Sequence, residues 1–321
     1  MTRTEIPSLQ DIIAAHERIA PYIHRTPVLT STSINALAGC DIHFKCENLQ
    51  KVGAFKIRGA TNAVLSLAPE DTANGIATHS SGNHAQAVAL AAQNRGIRSF
   101  VVMPENSPKV KVEAVKGYGA EITFCENHID SRQETLDEIL SQTGATFIHP
   151  YNNIKVIEGQ ATAAMELLED VGNLDTIITP VGGGGLLSGT SLSAHYLSPG
   201  TSVIGSEPTE VDDAFRSLAS GLIESNETTD TIADGLKTNL GDITFGIIQE
   251  HISEIITVSE GAIADAMRCI WERMKIIIEP SSAVPFAAIL SQPQTFKGKR
   301  VGLIVTGGNV ALDQLPFSLT G

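Results

Sequence analysis

One lysine in this chain stands where a lysine is costly. In GAFKIRG, Gly53 to Gly59, Lys56 lies between Phe55 and Ile57. An amine kept among apolar side chains loses hydration, which disfavours the ammonium form and lowers its pKa. The neutral amine can then attack a carbonyl and form an imine. A lysine that snorkels to water from the start of a helix is the commoner case, so the reading needs support elsewhere. Two runs supply it. Gly182 to Gly185 follow the apolar strand IITPV and precede the helical LLSGTSLSAH. A glycine run in that place lets backbone N–H groups close around an anion at a helix N-terminus. TGGN, Thr306 to Asn309, follows the last apolar run, where a hydroxyl can meet a ring nitrogen. A flexible turn and a β-turn are the plainer readings of these two runs.

The elements that must carry these residues alternate. Short β-rich runs (IHFKCEN, GIATHS, SFVVMP, EITFC, ATFIHP, DTIITPV, TSVIGSEP, EIITVS, VGLIVT) are separated by helical stretches, the pattern of parallel sheet built from βαβ units. Ser8 with Asp11 predicts the start of the first helix. The block 75–146 holds several such units and is expected to form a small mobile domain inserted into a large one made of 1–74 and 147–321. The fold class expected is α/β, with two open twisted domains.

The chain has 321 residues, 42% hydrophobic and 18% charged, with a net charge of −14 and a pI near 5.0. So acidic a surface repels phosphate backbones and anionic lipid, arguing against nucleic-acid and membrane partners. No run has the length of a membrane span, and MTRTEIPSLQ lacks the apolar core of a secretory signal. The four cysteines show no metal-ligand spacing and suit free thiols in a reducing cytoplasm. A rival use of the glycine run is a dinucleotide fingerprint, with Glu207 as the acidic residue about 20 positions on. No register of the run yields GxGxxG, so a dinucleotide-dependent dehydrogenase is disfavoured.

Together the runs KCENLQKVGAFKIRGATNA, SSGNHAQAVA (80–89), VGGGGLLSG (181–189), SEP (206–208), IADGLK (232–237), WERMKIIIEPSSA (271–283) and TGGN resemble the serine/threonine dehydratase and serine racemase family. These are fold-type II pyridoxal-phosphate enzymes related to the tryptophan synthase β subunit. The resemblance spans essentially the whole chain and is nearest the branch of serine racemases and threo-3-hydroxyaspartate ammonia-lyases. It implies that Lys56 carries pyridoxal 5'-phosphate and acts as base on one face of the substrate Cα, with Ser81 on the other. Phe55 would pack beside the ring and Asn83 would bond its 3′ oxygen. Gly182, Gly183, Gly184 and Gly185 would hold the phosphate, Thr306 the ring nitrogen, and Gly235 and Glu279 would line the ring edge. Ser80, Ser81, Asn83 and His84 would meet the substrate. The implied chemistry is β-elimination of L-serine, L-threonine or L-threo-3-hydroxyaspartate to a keto acid and ammonia, racemisation of serine, or both. A catabolic L-threonine dehydratase without racemase activity is the alternative. Ala54 departs from the serine many members carry there, which removes a hydroxyl near the phosphate. With few residues after TGGN, a C-terminal regulatory domain is not expected.

Two further expectations follow from the resemblance. Arg132 occupies the position of an arginine found in serine racemases and hydroxyaspartate dehydratases. Its guanidinium would take a second carboxylate as a bidentate pair, with Thr238 supplying a hydroxyl alongside. In SEPTEVDD, Glu207, the carbonyl of Val211 and Asp213 resemble a divalent-cation site, and oxygen ligands suit Mg²⁺, Ca²⁺ or Mn²⁺. A cytoplasmic homodimer acting on a small amino acid completes the expectation.

Overall fold

The computed structural model describes residues 6–80, 82–107, 109–313 and 315–317. Ten strands fall in two sheets: β1 Val28–Leu29, β2 Asp41–Cys46, β3 Ile76–His79, β4 Ser99–Pro104, β5 Glu121–Cys125, β6 Thr146–Phe147, β7 Thr176–Pro180, β8 Ser202–Pro208, β9 Ile255–Val258 and β10 Arg300–Val305. One sheet runs β1-β2-β10-β7-β8-β9 and the other β5-β4-β3-β6. Apart from the antiparallel β1–β2 pair, all described pairings are parallel. Parallel strands need crossovers, and helices supply them.

The helices are α1 Leu9–Ile19, α2 Thr32–Ala38, α3 Lys56–Ser66, α4 Asn83–Arg95, α5 Lys109–Gly117, α6 Ile129–Thr143, α7 Ile154–Val171, α8 Gly185–Leu197, α9 Asp213–Ser220, α10 Asp242–His251, α11 Glu260–Met274, α12 Pro280–Ser291 and the single turn α13 Pro293–Phe296. Ser8 and Asp11 form the capping box read from the sequence. The ATFIHP run forms only the two-residue β6, because the chain beyond Phe147 turns into the site. Helices α2, α9, α10 and α12 add to the sequence reading. Helix α12 begins on Pro280 and is buried from Pro280 through Ile289, so it has no polar face from which a period can be read.

The larger sheet is packed on both sides. Phe44, Ile178, Leu303 and Phe286 belong to one apolar cluster; Leu167, Ile177, Leu187 and Ile304 belong to another. The smaller sheet is covered by separate clusters around Phe100, Val102 and Leu136, and around Val101, Met103 and Val115.

Helices α3 and α7 cross closely at glycine. A Cβ placed on Gly159 would lie 2.6 Å from both the Arg58 carbonyl oxygen and the Gly59 Cα. This contact fixes the helix that starts at Lys56 against the helix that follows residues 149–153. Beneath it lies a buried ionic network. Arg58 Nε and Nη2 donate to the two oxygens of Glu47 at 2.7 and 2.8 Å. Nη1 and Nη2 donate to those of Glu166, both at 2.8 Å. Lys45 Nζ donates to Glu166 and to the Thr26 carbonyl, each at 2.7 Å. Lys45, Glu47 and Arg58 are fully buried and Glu166 nearly so.

Candidate active site

Lys56 is the first residue of α3, and the chain leading into it is stitched to the end of β10. Phe55 N–H donates to the Thr306 carbonyl at 2.9 Å, Gly308 N–H donates to the Gly53 carbonyl at 2.9 Å, and Ala54 bridges Gly307. Lys45 and Glu47 before this turn and Arg58 after it share the buried network, so both arms of the turn are anchored. The half-buried Lys56 side chain turns its amine inward. Nζ donates to the Pro150 carbonyl at 3.0 Å and lies 5.3 Å from the centroid of the Phe55 ring. Burial lowers the amine to about 8, with Glu279 opposing the shift.

The glycine loop links β7 to α8. Gly184 has φ +85°, a backbone conformation that favours glycine, and a Cβ there would lie 2.8–2.9 Å from Leu240, Ile248 and Thr244. The N–H groups of Gly182, Gly183, Gly184 and Gly185 meet no acceptor among the described residues. Gly183, Gly184 and Gly185 are nevertheless buried. Buried orphan N–H groups are rare unless a ligand satisfies them. At a helix N-terminus, four of them fit a phosphate.

Glu279 and Asn83 meet between the sheets. Asn83 Nδ2 lies 2.9 and 3.1 Å from the two Glu279 oxygens, and Asn83 Oδ1 accepts from Asn309 at 2.9 Å. Burial raises Glu279 to about 7; Asp234 adds to the rise and Lys111 opposes it. Lys111 is buried and ion-paired with Asp234, the residue before Gly235. Gly235 in turn approaches the glycine loop: a Cβ on Gly182 would lie 3.0 Å from its carbonyl. Thr306 Oγ1 lies 2.9 Å from Ser282 Oγ, an uncharged pair at the end of β10.

Ser80 accepts the Gly82 N–H at 3.3 Å. Ser81 lies outside the described residues. His84 Nε2 lies 3.2 Å from the Ile148 carbonyl, which assigns the proton to that nitrogen. Nδ1 is then a buried acceptor with no partner. Burial, and secondarily Lys56, keeps His84 neutral. Arg132 Nη2 donates to Asn127 at 2.9 Å, its Nε has no partner, and its charge acts on His79 and Cys125. Thr238 lies against the glycine loop, its Oγ1 3.4 Å from where a Cβ on Gly182 would stand. Arg132 and Thr238 share no hydrogen bond among the described residues.

Glu207, Val211 and Asp213 are all fully buried. Glu207 accepts the N–H groups of Ala214 and Phe215 at 3.2 and 2.8 Å, which leaves it unsuited to a ribose. Asp213 accepts from Asn226 at 2.6 Å and from Leu240 at 3.0 Å. Burial raises Glu207 well above the carboxylate range, with Asp213 adding to it, and raises Asp213 to about 6. Among the described residues no group of three or more His, Cys, Asp or Glu is placed to hold a metal. Of the expected set, Glu207 and Asp213 are the ionisable members and Val211 offers a backbone carbonyl.

Pro150, Tyr151, His149, Ser282, Lys111 and Asn309 were not singled out in the sequence. The one usable signal lay in ATFIHPYNN, because residues just past the C-terminal ends of parallel strands line α/β sites. Burial, then His79 and Lys56, lowers His149 to about 4, so it too stays neutral.

An amine of lowered pKa held by Pro150, with the next residue, Tyr151, packed on a loop of unpaired glycine N–H groups, suits a lysine-anchored, phosphate-bearing cofactor. The chain belongs to the family of pyridoxal-phosphate dependent enzymes, whose model matches residues 19–307. It is 51% identical to the beta-hydroxyaspartate dehydratase of Paracoccus denitrificans, over 98% of this chain and 99% of that protein. It is 44% identical to the L-threo-3-hydroxyaspartate ammonia-lyase of Saccharomyces cerevisiae, over 98% and 97%. The crystal structure of serine racemase from Dictyostelium discoideum matches with a TM-score of 0.90 at 51% identity, covering 95% of this chain and 99% of that one. No described helix is long and apolar enough to cross a membrane.

Proposed function

We propose that this chain eliminates water from β-hydroxy α-amino acids, releasing a keto acid and ammonia, with L-threo-3-hydroxyaspartate, L-serine and L-threonine as candidate substrates. We also propose that it racemises serine. The observation that carries the reading is the Lys56 amine, lowered to about 8 and set among the elements that also carry the orphaned glycine N–H groups. Pyridoxal phosphate, when bound, supplies the electron sink that stabilises negative charge at Cα.

The protein's part is orientation and proton handling. Lys56 Nζ, held by the Pro150 carbonyl and the Phe55 ring, takes and returns the Cα proton on one face. Ser81 serves the other face, a role that rests on the resemblance. Gly182–Gly185 bind the phosphate. The Thr306–Ser282 hydroxyl pair offers a neutral partner to the ring nitrogen, which keeps the sink mild and suits elimination and proton exchange. Glu279 and Gly235 border the ring, with Asn83 fixed by Glu279 and Asn309. His84, whose Nδ1 is unpartnered, would meet the substrate, a role that rests on the resemblance.

Arg132 reads the second carboxylate of a dicarboxylic substrate; its unpaired Nε and lone Asn127 contact support this. Keto-acid release from the three amino acids, measured side by side with Mg²⁺, tests the substrate reading. In Arg132→Ala, KM for 3-hydroxyaspartate should rise about 10–100-fold, the worth of a charge-assisted hydrogen bond. Values for serine should change little. An unchanged KM for hydroxyaspartate would remove Arg132 from the site.

Glu207, the Val211 carbonyl and Asp213 would hold a divalent cation such as Mg²⁺. Two fully buried carboxylates, both raised by burial and Glu207 further by Asp213, fit a site that a cation relieves. Without the cation both take up protons on folding, so stability falls as pH rises through the raised values. With it both stay ionised. Chelation should therefore lower Tm at about pH 8 and scarcely at about pH 5, where protons replace the metal. Equal Tm with chelator and with Mg²⁺ at the higher pH would count against the site.

We further propose that segment 75–146 closes over the substrate as a unit. In support, strands β3 to β6 pair only with one another. Asn83 with Glu279 and Asn309, and Lys111 with Asp234, are among the polar contacts from this segment to the rest of the chain. A cytoplasmic homodimer belongs to the same proposal, on the strength of the resemblance.

A further inference from the structure

The glycine loop is held from two sides. On one, the Tyr151 ring packs so closely that a Cβ on Gly183 would lie 2.3 Å from its atoms. Burial pushes the Tyr151 hydroxyl up to about 12, so it stays protonated. On the other side stands Thr244, in the first turn of α10 and fully buried. Its hydroxyl accepts the Gly241 N–H at 3.0 Å and donates to the Gly183 carbonyl at 2.8 Å. Asn152, the residue after Tyr151, ties the two sides together. Its Oδ1 accepts the Ile243 N–H at 3.0 Å, and its Nδ2 donates to Asp242 at 2.7 Å.

The Gly183 carbonyl and the Gly184 N–H belong to one peptide unit. In a planar trans peptide these two groups point in opposite directions. A carbonyl drawn toward Thr244 therefore turns the Gly184 N–H away from α10, and this N–H is one of the four without an acceptor. Gly184 at φ +85° has freedom to turn the other way. Something outside the loop must choose the orientation, and the Thr244 hydroxyl is the polar group that touches that peptide.

We propose that Thr244 is a positioning residue that aims the phosphate cradle, with Tyr151 backing the same peptide from the opposite side. The proposal rests on the glycine loop being the phosphate site. Thr244 touches neither cofactor nor substrate; it sets the peptide that does. Its effect is then confined to ligands that carry the phosphate, whereas a residue that merely stabilised the fold would affect every ligand alike.

The test compares pyridoxal 5'-phosphate with pyridoxal, which offers Lys56 the same carbonyl and lacks the phosphate. The full-length protein is stripped of cofactor, and binding of each compound is followed by absorbance. In Thr244→Val, pyridoxal phosphate should bind about tenfold or more weakly, while pyridoxal binding stays within about twofold, as loss of one oriented donor predicts. Thr244→Ser, which keeps the hydroxyl, should restore binding; Thr244→Ala replaces Val if the valine variant does not fold. An equal loss for both compounds, or no loss for either, overturns the proposal. Gly184→Ala is the control for the cradle itself. If it leaves the wild-type preference for the phosphorylated compound intact, the phosphate is bound elsewhere and the cradle reading falls, taking the role of Thr244 with it; if it abolishes the preference while Thr244→Val does not, the cradle stands and the role of Thr244 alone fails.

Discussion

Lys56→Ala should leave a folded protein that no longer retains its cofactor covalently, with turnover lowered by about 10³-fold or more, since a positioned base alone supplies roughly 10²–10⁴. Position 56 begins α3, where alanine is well tolerated, and its neighbours Ile57 and Arg58 carry the packing. Borohydride should fix the cofactor on the Lys56 peptide of the native protein and on no peptide of the variant. The pH dependence is predicted as well. Only the neutral amine attacks a carbonyl, and burial places the amine near 8. Cofactor uptake by the stripped protein should therefore speed up as pH rises through about 8 and level off above it, against about 10.4 for a solvated lysine. Uptake still climbing at the solvated value would mean that the amine is not desolvated. Retention of covalent cofactor by the alanine variant would place the attachment elsewhere.

What made Lys56 legible was a local conflict, a cation between apolar neighbours in a glycine-flanked run. The glycine run was legible because both flanking elements were strongly patterned. Helix α1 was readable from Ser8 and Asp11, whose capping box is formed by side chains three residues apart. By contrast, Tyr151 and Thr244 matter through contacts with Gly183, and a tyrosine or threonine alone carries no local sign of them. Pro150 contributes only a backbone carbonyl, which every residue has. Helix α12 was hidden because it is buried nearly all round. The grouping of Glu47, Arg58 and Glu166 was hidden by distance, since Arg58 and Glu166 are 108 residues apart in sequence. In each case local chemistry was written in the sequence, and the partner chosen across the fold was not.

The buried network that escaped the sequence carries the second large effect. Arg58 has no exposed surface, and all four oxygens of Glu47 and Glu166 accept from it. Burial works against the guanidinium, but Glu47 and Glu166 overcome it and hold the cation protonated. Arg58 in turn keeps Glu166 low against the opposing pull of burial, with help from Lys45. Removing the arginine leaves Glu166 with Lys45 and Glu47 with the Thr26 hydroxyl, and uncompensated buried charge costs about 3–5 kcal/mol. Arg58→Ala should accordingly lower Tm by roughly 5–10 °C in thermal scans of the cofactor-loaded protein. Lysine is no conservative replacement, because one ammonium cannot reproduce a fork that meets both carboxylates. Arg58→Lys should recover only part of the loss. The penalty should shrink at low pH, where the freed carboxylates can protonate: their folded-state pKa values rise in the variant, so they bind protons the unfolded chain does not. A variant within about 2 °C of the native protein at neutral pH would mean that water or rearrangement compensates the charges. The site would feel the loss as well as the fold. Glu47 and Arg58 bracket the turn that presents Lys56, and the same network reaches α7, whose preceding residues place the Pro150 carbonyl under the amine. Loosening it should therefore weaken cofactor uptake at temperatures where the chain is still folded.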